Sequence, residues 1–108
     1  MKRLRVQFDR GALDDLRAIR RIIGERSGSK RIALGYVQRI RAACLRIGDI
    51  PWSGRAREDL QRGLRTTPFE HRAVIAYVVQ EHRVLVTNIY WGGRDWERLY
   101  DGESEEGV

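Results

Sequence analysis

Hydrophobic periodicity is helical over one long stretch of this chain and alternating on either side of it, and that division limits the folds open to it. Leu13, Leu16, Ile19, Ile22 and Ile23 recur at helical spacing, with Asp14, Asp15, Arg17 and Arg21 on the other side. Asp9 stands before them, where a carboxylate can accept from unpaired first-turn amides. Gly24 and the cluster Ser27-Gly28-Ser29 end this helix and start another. The second runs from about Lys30 to Ile47, with Ala33, Tyr36, Val37, Ile40, Ala43, Cys44 and Ile47 as its apolar stripe. Two amphipathic helices on a short polar turn make an antiparallel hairpin, closed by Gly48 and Pro51.

The rest of the chain reads differently. Leu4–Phe8 alternates apolar and polar, as a half-buried strand does. Gly48–Gly63 is irregular, with a short turn expected at Glu58–Leu60. Leu64–Thr67 is a short strand candidate. Ala73–Val79 and Val84–Trp91 are rich in β-branched and aromatic residues, with a polar turn between them. Gly92-Gly93 breaks the last strand, and Asp95–Tyr100 suits a helical turn or two. The expected order is β-α-α-β-β-β-α. That is an α+β domain in which a helical hairpin packs on one face of a small, mostly antiparallel sheet. A chain of 108 residues can bury one such core, so residues 1–100 are expected to form a single domain. Residues 101–108, with four acids and no base, are expected to form a disordered acidic tail.

Charge bears on function. Nineteen arginines and two lysines face 15 acids, a net charge of +6, and without the acidic tail the body carries +10. Such a field draws polyanions: nucleic acid or an acidic protein. No apolar run approaches the roughly 18 residues of a membrane span, and Met1–Val6 lacks the apolar core of an export signal. The cytoplasm is the expected location, with no membrane partner. One cysteine, Cys44, and two histidines, His71 and His82, leave poor material for a metal site, and no cofactor is expected. No nucleotide-binding glycine loop, GxSxG elbow or HExxH helix is present.

What stands out is arginine interleaved with glycine and large aromatics. Gly54-Arg55-Ala56-Arg57, Gly63-Leu64-Arg65 and Gly93-Arg94-Asp95 each set a fixed cation beside a flexible backbone position. Trp52, Trp91, Trp96 and Tyr100 lie near them in sequence. Arginine with aromatics anchors binding surfaces and also stacks on unpaired bases.

These residues, taken in order, resemble the RelE/ParE superfamily of bacterial toxins from type II toxin–antitoxin modules. The matching pieces are Ala12-x-x-Asp15-Leu16-x-x-Ile19, Pro51-x-x-Gly54-Arg55, Leu60-x-x-Gly63-Leu64-Arg65, Ile75-x-Tyr77, and Val84-x-Val86-x-x-Ile89-x-x-Gly92-x-Arg94-Asp95. They span Leu4 to about Tyr100 and lie closer to the ParE branch, whose members end in Gly-x-Arg-Asp and a short helix. The chain departs from the family at Trp91, where histidine is common, and at Arg72-Ala73, where an aromatic often stands.

The resemblance implies growth arrest, by inhibition of DNA gyrase in the ParE branch, and neutralisation by a bound ParD-like or related antitoxin in a hetero-oligomer. Target-binding candidates are Arg55, Arg57, Arg65, Arg94, Trp91, Trp96 and Tyr100. Antitoxin-binding candidates are Arg17, Arg21, Arg39 and Arg46. The alternative is a RelE-like ribosome-dependent mRNA endoribonuclease, for which Arg65, His71, Tyr100 and Glu58 would be the catalytic candidates. A further alternative is a small non-toxic nucleic-acid-binding domain. Cleaving RNA needs a base to take the 2′-hydroxyl proton, and arginine stays protonated at any working pH. The residues therefore lean towards a binding protein.

Overall fold

The computed structural model describes residues 3–93 and 95–100. Arg94, and the tail expected to be disordered, lie outside the described residues.

Strand β1 (Arg5–Phe8) leads directly into helix α1 (Arg10–Ser27), and helix α2 (Lys30–Ile47) returns beside it. The caps are those the sequence suggests. Asp9 accepts from the Arg10 amide, and Ser29 accepts from Ile32. Gly28 takes a left-handed conformation with φ of 69°, which only glycine adopts freely, and donates to the Gly24 carbonyl. Four strands follow: β2 (Arg55–Ala56), β3 (Leu64–Phe69), β4 (Ala73–Val79) and β5 (Arg83–Trp91).

The sheet order is β1-β5-β4-β3-β2, with β1 parallel to β5 and the other neighbours antiparallel. This is the expected helical hairpin on a mostly antiparallel sheet, with one strand added. The segment read as irregular contains β2, a two-residue edge strand held by Thr66 and Arg65 of β3. The third strand also runs beyond Thr67, through Pro68 to Phe69. Proline is tolerated there because β2 has already ended and β3 is itself the edge. Near its middle β5 carries one extra residue, Thr87, so Ala76 faces Asn88 while Tyr77 faces Val86.

The helix-covered face holds the main core. Ala12, Leu16 and Ile19 of α1 and Val37, Ile40, Cys44 and Ile47 of α2 pack on Phe69, Ala73, Ile75, Tyr77, Val84, Val86 and Ile89. Cys44 is fully buried, and burial pushes its thiol up to about 12, so it behaves as a small apolar filler. The opposite face carries a smaller cluster. Leu64 and Ala76 are covered by Tyr100, with Leu60, Tyr90 and Trp96 around them. Asp95–Tyr100 forms the expected helical turn, through bonds from Arg98, Leu99 and Tyr100 back to Asp95, Trp96 and Glu97. Among the described residues no helix is long and apolar enough to cross a membrane.

Candidate functional site

Three regions hold the candidate residues. The first is the connector from α2 to β2. Tyr77 is buried in β4, and its hydroxyl donates to the Pro51 carbonyl and accepts from the Gly54 amide, both at 3.0 Å. Arg65 of β3 donates to the carbonyls of Trp52 (3.0 Å) and Gly54 (2.6 Å), and its guanidinium lies 5.0 Å from the Trp52 ring centre. Arg65, expected to meet a target or act on RNA, therefore clamps the connector. Arg55 is exposed on the β2 edge.

The second region is the C-terminal turn on the helix-free face. Trp96 stacks on Tyr90 with centroids 5.2 Å apart, and Tyr100 meets both rings edge-on. The Tyr100 and Tyr90 hydroxyls are 2.7 Å apart. Arg57 binds Asp59 at 2.8 Å and Glu97 at 2.5 Å, beside the Trp96 ring, with only 11% of its side chain exposed. The guanidinium holds the Asp59 carboxyl below the usual carboxylate range. Arg57 thus ties this turn to the loop before β3. Trp91 lies on the opposite face of the sheet, where its indole donates to the Tyr36 hydroxyl and Arg26 lies over its ring. Of the target-binding candidates the structure brings Arg57, Trp96 and Tyr100 together. Arg57, Arg65, Trp96 and Tyr100 have structural partners, Trp91 faces the helices, and Arg94 is outside the described residues.

The nuclease candidates Glu58, Tyr100 and His71 occupy different structural settings. Glu58 accepts from the Gly63 amide at 2.7 Å, closing the loop before β3. Tyr100 is buried. His71 is in the turn between β3 and β4, two positions before β4 begins at Ala73. It shares a shallow cleft with Arg72, Tyr90 and Trp96, which neither Glu58, Arg65 nor Tyr100 lines. His71 has φ of 60° and Glu70 φ of 48°, the left-handed region that costs a side-chain-bearing residue about 1 kcal/mol or more. Replacing His71 with glycine is therefore expected to raise stability by about 1 kcal/mol in thermal unfolding. Glu70 is less replaceable, because it binds Arg39 through two bonds of 3.0 and 3.1 Å.

The third region is an open groove on the hairpin, lined by Arg17, Arg20, Arg21, Gly24, Glu25, Lys30 and Ala33. Gly24 faces Ala33 across the hairpin, where an added methyl would meet the Ala33 methyl at an ordinary contact distance of 3.8 Å. Two of the four antitoxin candidates, Arg17 and Arg21, line this groove, and Arg17 also pairs with Asp14 at 3.0 Å. The other two lie elsewhere. Arg39 grips Glu70 in the β3–β4 turn, and Arg46 is exposed near the end of α2. Arg20 and Lys30 were not among the candidates. The spacing of Arg17, Arg20 and Arg21 already put Arg20 on that side, whereas Lys30 joins only through the hairpin fold.

No protein of curated function matches this chain. Among solved structures, it superposes on one described as the chromosomal ParDE toxin–antitoxin system from P. aeruginosa. The TM-score is 0.73 at 22% identity, covering 82% of this chain and 96% of that one. That likeness is one of fold. The family model for the ParE toxin of the type II toxin–antitoxin system parDE matches residues 6–96, nearly the whole described domain, and so the chain belongs to the ParE toxin family.

Proposed function

We propose that this ParE-type toxin acts in the cytoplasm by binding DNA gyrase and arresting growth. A cognate ParD-like antitoxin neutralises it by direct binding in a hetero-oligomer. The observation that supports binding over catalysis is the engagement of the candidate chemical groups. Arg65 is bonded to two backbone carbonyls, Tyr100 to Tyr90 and Glu58 to Gly63, while His71 lines a cleft that none of the three lines. An endoribonuclease needs a base and an acid converging on one phosphate.

Induction of the chain alone in a bacterium tests this reading, with plasmid topology and primer-extension mapping of mRNA in translating ribosomes measured side by side. Growth arrest with cleaved gyrase–DNA complexes and uncut mRNA is the expected result. Codon-specific cuts by the purified protein would replace the gyrase reading with the nuclease one. Normal growth with folded, soluble protein present would remove the toxin reading for this chain.

Antitoxin capture is assigned to the hairpin groove, whose four cations against one acid suit an acidic, amphipathic segment that folds as it binds. Rim charges steer encounter more than they hold the complex. Reversing Arg17 and Arg21 to glutamate is expected to slow association about tenfold at low salt and flatten its salt dependence, with a smaller effect on dissociation. The exposed Arg17–Asp14 pair contributes at most about 1 kcal/mol, so folding should survive. Stopped-flow binding across salt concentrations measures both rates.

A further inference from the structure

Of the four large aromatics near the glycine–arginine pieces, only Trp52 faces solvent, with 63% of its surface exposed. Ile50, two residues earlier, is 56% exposed. An exposed indole on a loose loop would need no explanation. This one is held rigidly from beneath. The connector on either side of it is fixed by four hydrogen bonds: Tyr77 donates to Pro51 and accepts from Gly54, and Arg65 donates to Trp52 and Gly54. Arg65 also lies against the ring. The conformational entropy of presenting Trp52 is already lost in the free protein, which is what preorganisation for binding means.

The charge of this region separates it from the rest of the surface. Between Ile50 and Arg55 the one charged residue is Arg55, and the neighbouring guanidinium of Arg65 is engaged by two backbone carbonyls. The hairpin groove, by contrast, gathers four cations against one acid. Phosphate binding and capture of an acidic segment draw on such a cluster of cations. Arg57 is internally paired, and Asp49 is paired with Arg3. Among the described residues Arg55 forms no ion pair. An exposed tryptophan, a neighbouring aliphatic side chain and an arginine without an ion-pair partner are the composition of a protein–protein anchor.

We propose that the Ile50–Arg55 connector is the docking surface for the toxin's protein target, with Trp52 as its anchor. The partner offers an apolar pocket for the indole and an oxygen acceptor for Arg55. This inference rests on the reading that arrest proceeds through a protein target. It places target and antitoxin on electrostatically different surfaces, the sparsely charged connector and the strongly basic hairpin groove.

Full-length Trp52→Ala, Trp52→Phe and Arg55→Glu test it, with four readouts: growth arrest on induction, affinity for purified gyrase, affinity for the antitoxin, and thermal midpoint. Trp52→Ala is expected to weaken gyrase binding roughly thirty-fold and abolish arrest. Trp52→Phe should be intermediate, and antitoxin affinity and thermal midpoint unchanged. Arg55→Glu alters only an exposed edge residue and should also weaken gyrase binding. Unchanged arrest in all three variants would overturn the proposal, and so would a parallel loss of antitoxin affinity. Two further results would overturn it by naming a different occupant: a single-stranded oligonucleotide held by the wild type and not by Trp52→Ala, or self-association lost in that variant. If the wild type does not bind gyrase, the gyrase reading falls while the docking surface is still decided in cells. Arrest lost with antitoxin affinity intact supports it, and arrest retained overturns it.

Discussion

Gly54→Ala is expected to cost about 4 kcal/mol. The added Cβ would stand 2.2 Å from the Tyr77 hydroxyl and 2.9 Å from two carbons of its ring. Neither side can yield cheaply. Tyr77 is fully buried among β4's neighbours, and the Gly54 backbone is held at its amide and its carbonyl. Moving the ring breaks the bonds to Pro51 and Gly54, leaving a buried carbonyl without its donor at about 1–3 kcal/mol for each group so exposed to loss. A domain of this size is stable by about 5–15 kcal/mol, so the variant should unfold at markedly lower denaturant concentration. Tyr77→Phe separates the two contributions. Alone it should cost about 2 kcal/mol, because the hydroxyl's partners stay buried without it. Combined with Gly54→Ala it should cost less than the sum, since the shortest contact disappears with the hydroxyl. Urea denaturation of the four proteins in the cycle gives the coupling. Full additivity would mean that Gly54 and Tyr77 do not meet as the structure has them.

The same residues explain how much of the molecule was legible beforehand. The helices were readable because each carries its own instructions: an apolar stripe, an N-cap at Asp9 or Ser29, and a stop at Gly28 or Gly48. Strands β4 and β5 were readable from their β-branched runs, and the C-terminal turn from the glycine pair before it. β2 was not readable, because two residues contain no periodicity and become a strand only by pairing with β3. The neighbour of β1 was likewise hidden, since its partner β5 begins about 75 positions downstream.

The partners of the candidate residues were hidden for a related reason. Sequence proximity gathered Arg57, Arg65, Trp96 and Tyr100 as a binding set, but an arginine's availability depends on what long-range folding brings to it. Glu97 reaches Arg57 from 40 residues away, and the two carbonyls that engage Arg65 are 13 and 11 residues off. Trp52 has the converse history. Nothing in its local sequence distinguishes an exposed, clamped tryptophan from a buried one.

Asp15 supplies the second large effect, and it too acts across the fold. β1 pairs with β5 only as far as Phe8 and Val86, after which the chain turns into α1 at Asp9. Beyond that point β5 needs another partner for its backbone on that side. Asp15 provides it, accepting from the Ile89 amide at 2.8 Å and from the Asn88 side-chain amide at 3.1 Å with the same oxygen. Gly11 makes the approach feasible, because a Cβ there would lie 2.9 Å from the Thr87 carbonyl at the bulge. One carboxylate thereby continues the edge of the sheet and fastens α1 to it. Asp15→Ala removes the acceptor from two part-buried donors and is expected to cost about 3 kcal/mol. Asp15→Asn keeps a carbonyl oxygen for Ile89 but cannot match the charge-assisted pair, so roughly half that loss is expected. Hydrogen exchange supplies a local check. The Ile89 amide should lose protection in Asp15→Ala far more than amides in the β3–β4 pairing do. Equal protection of Ile89 in the variant and the wild type would mean that the aspartate's place in this motif has another cause.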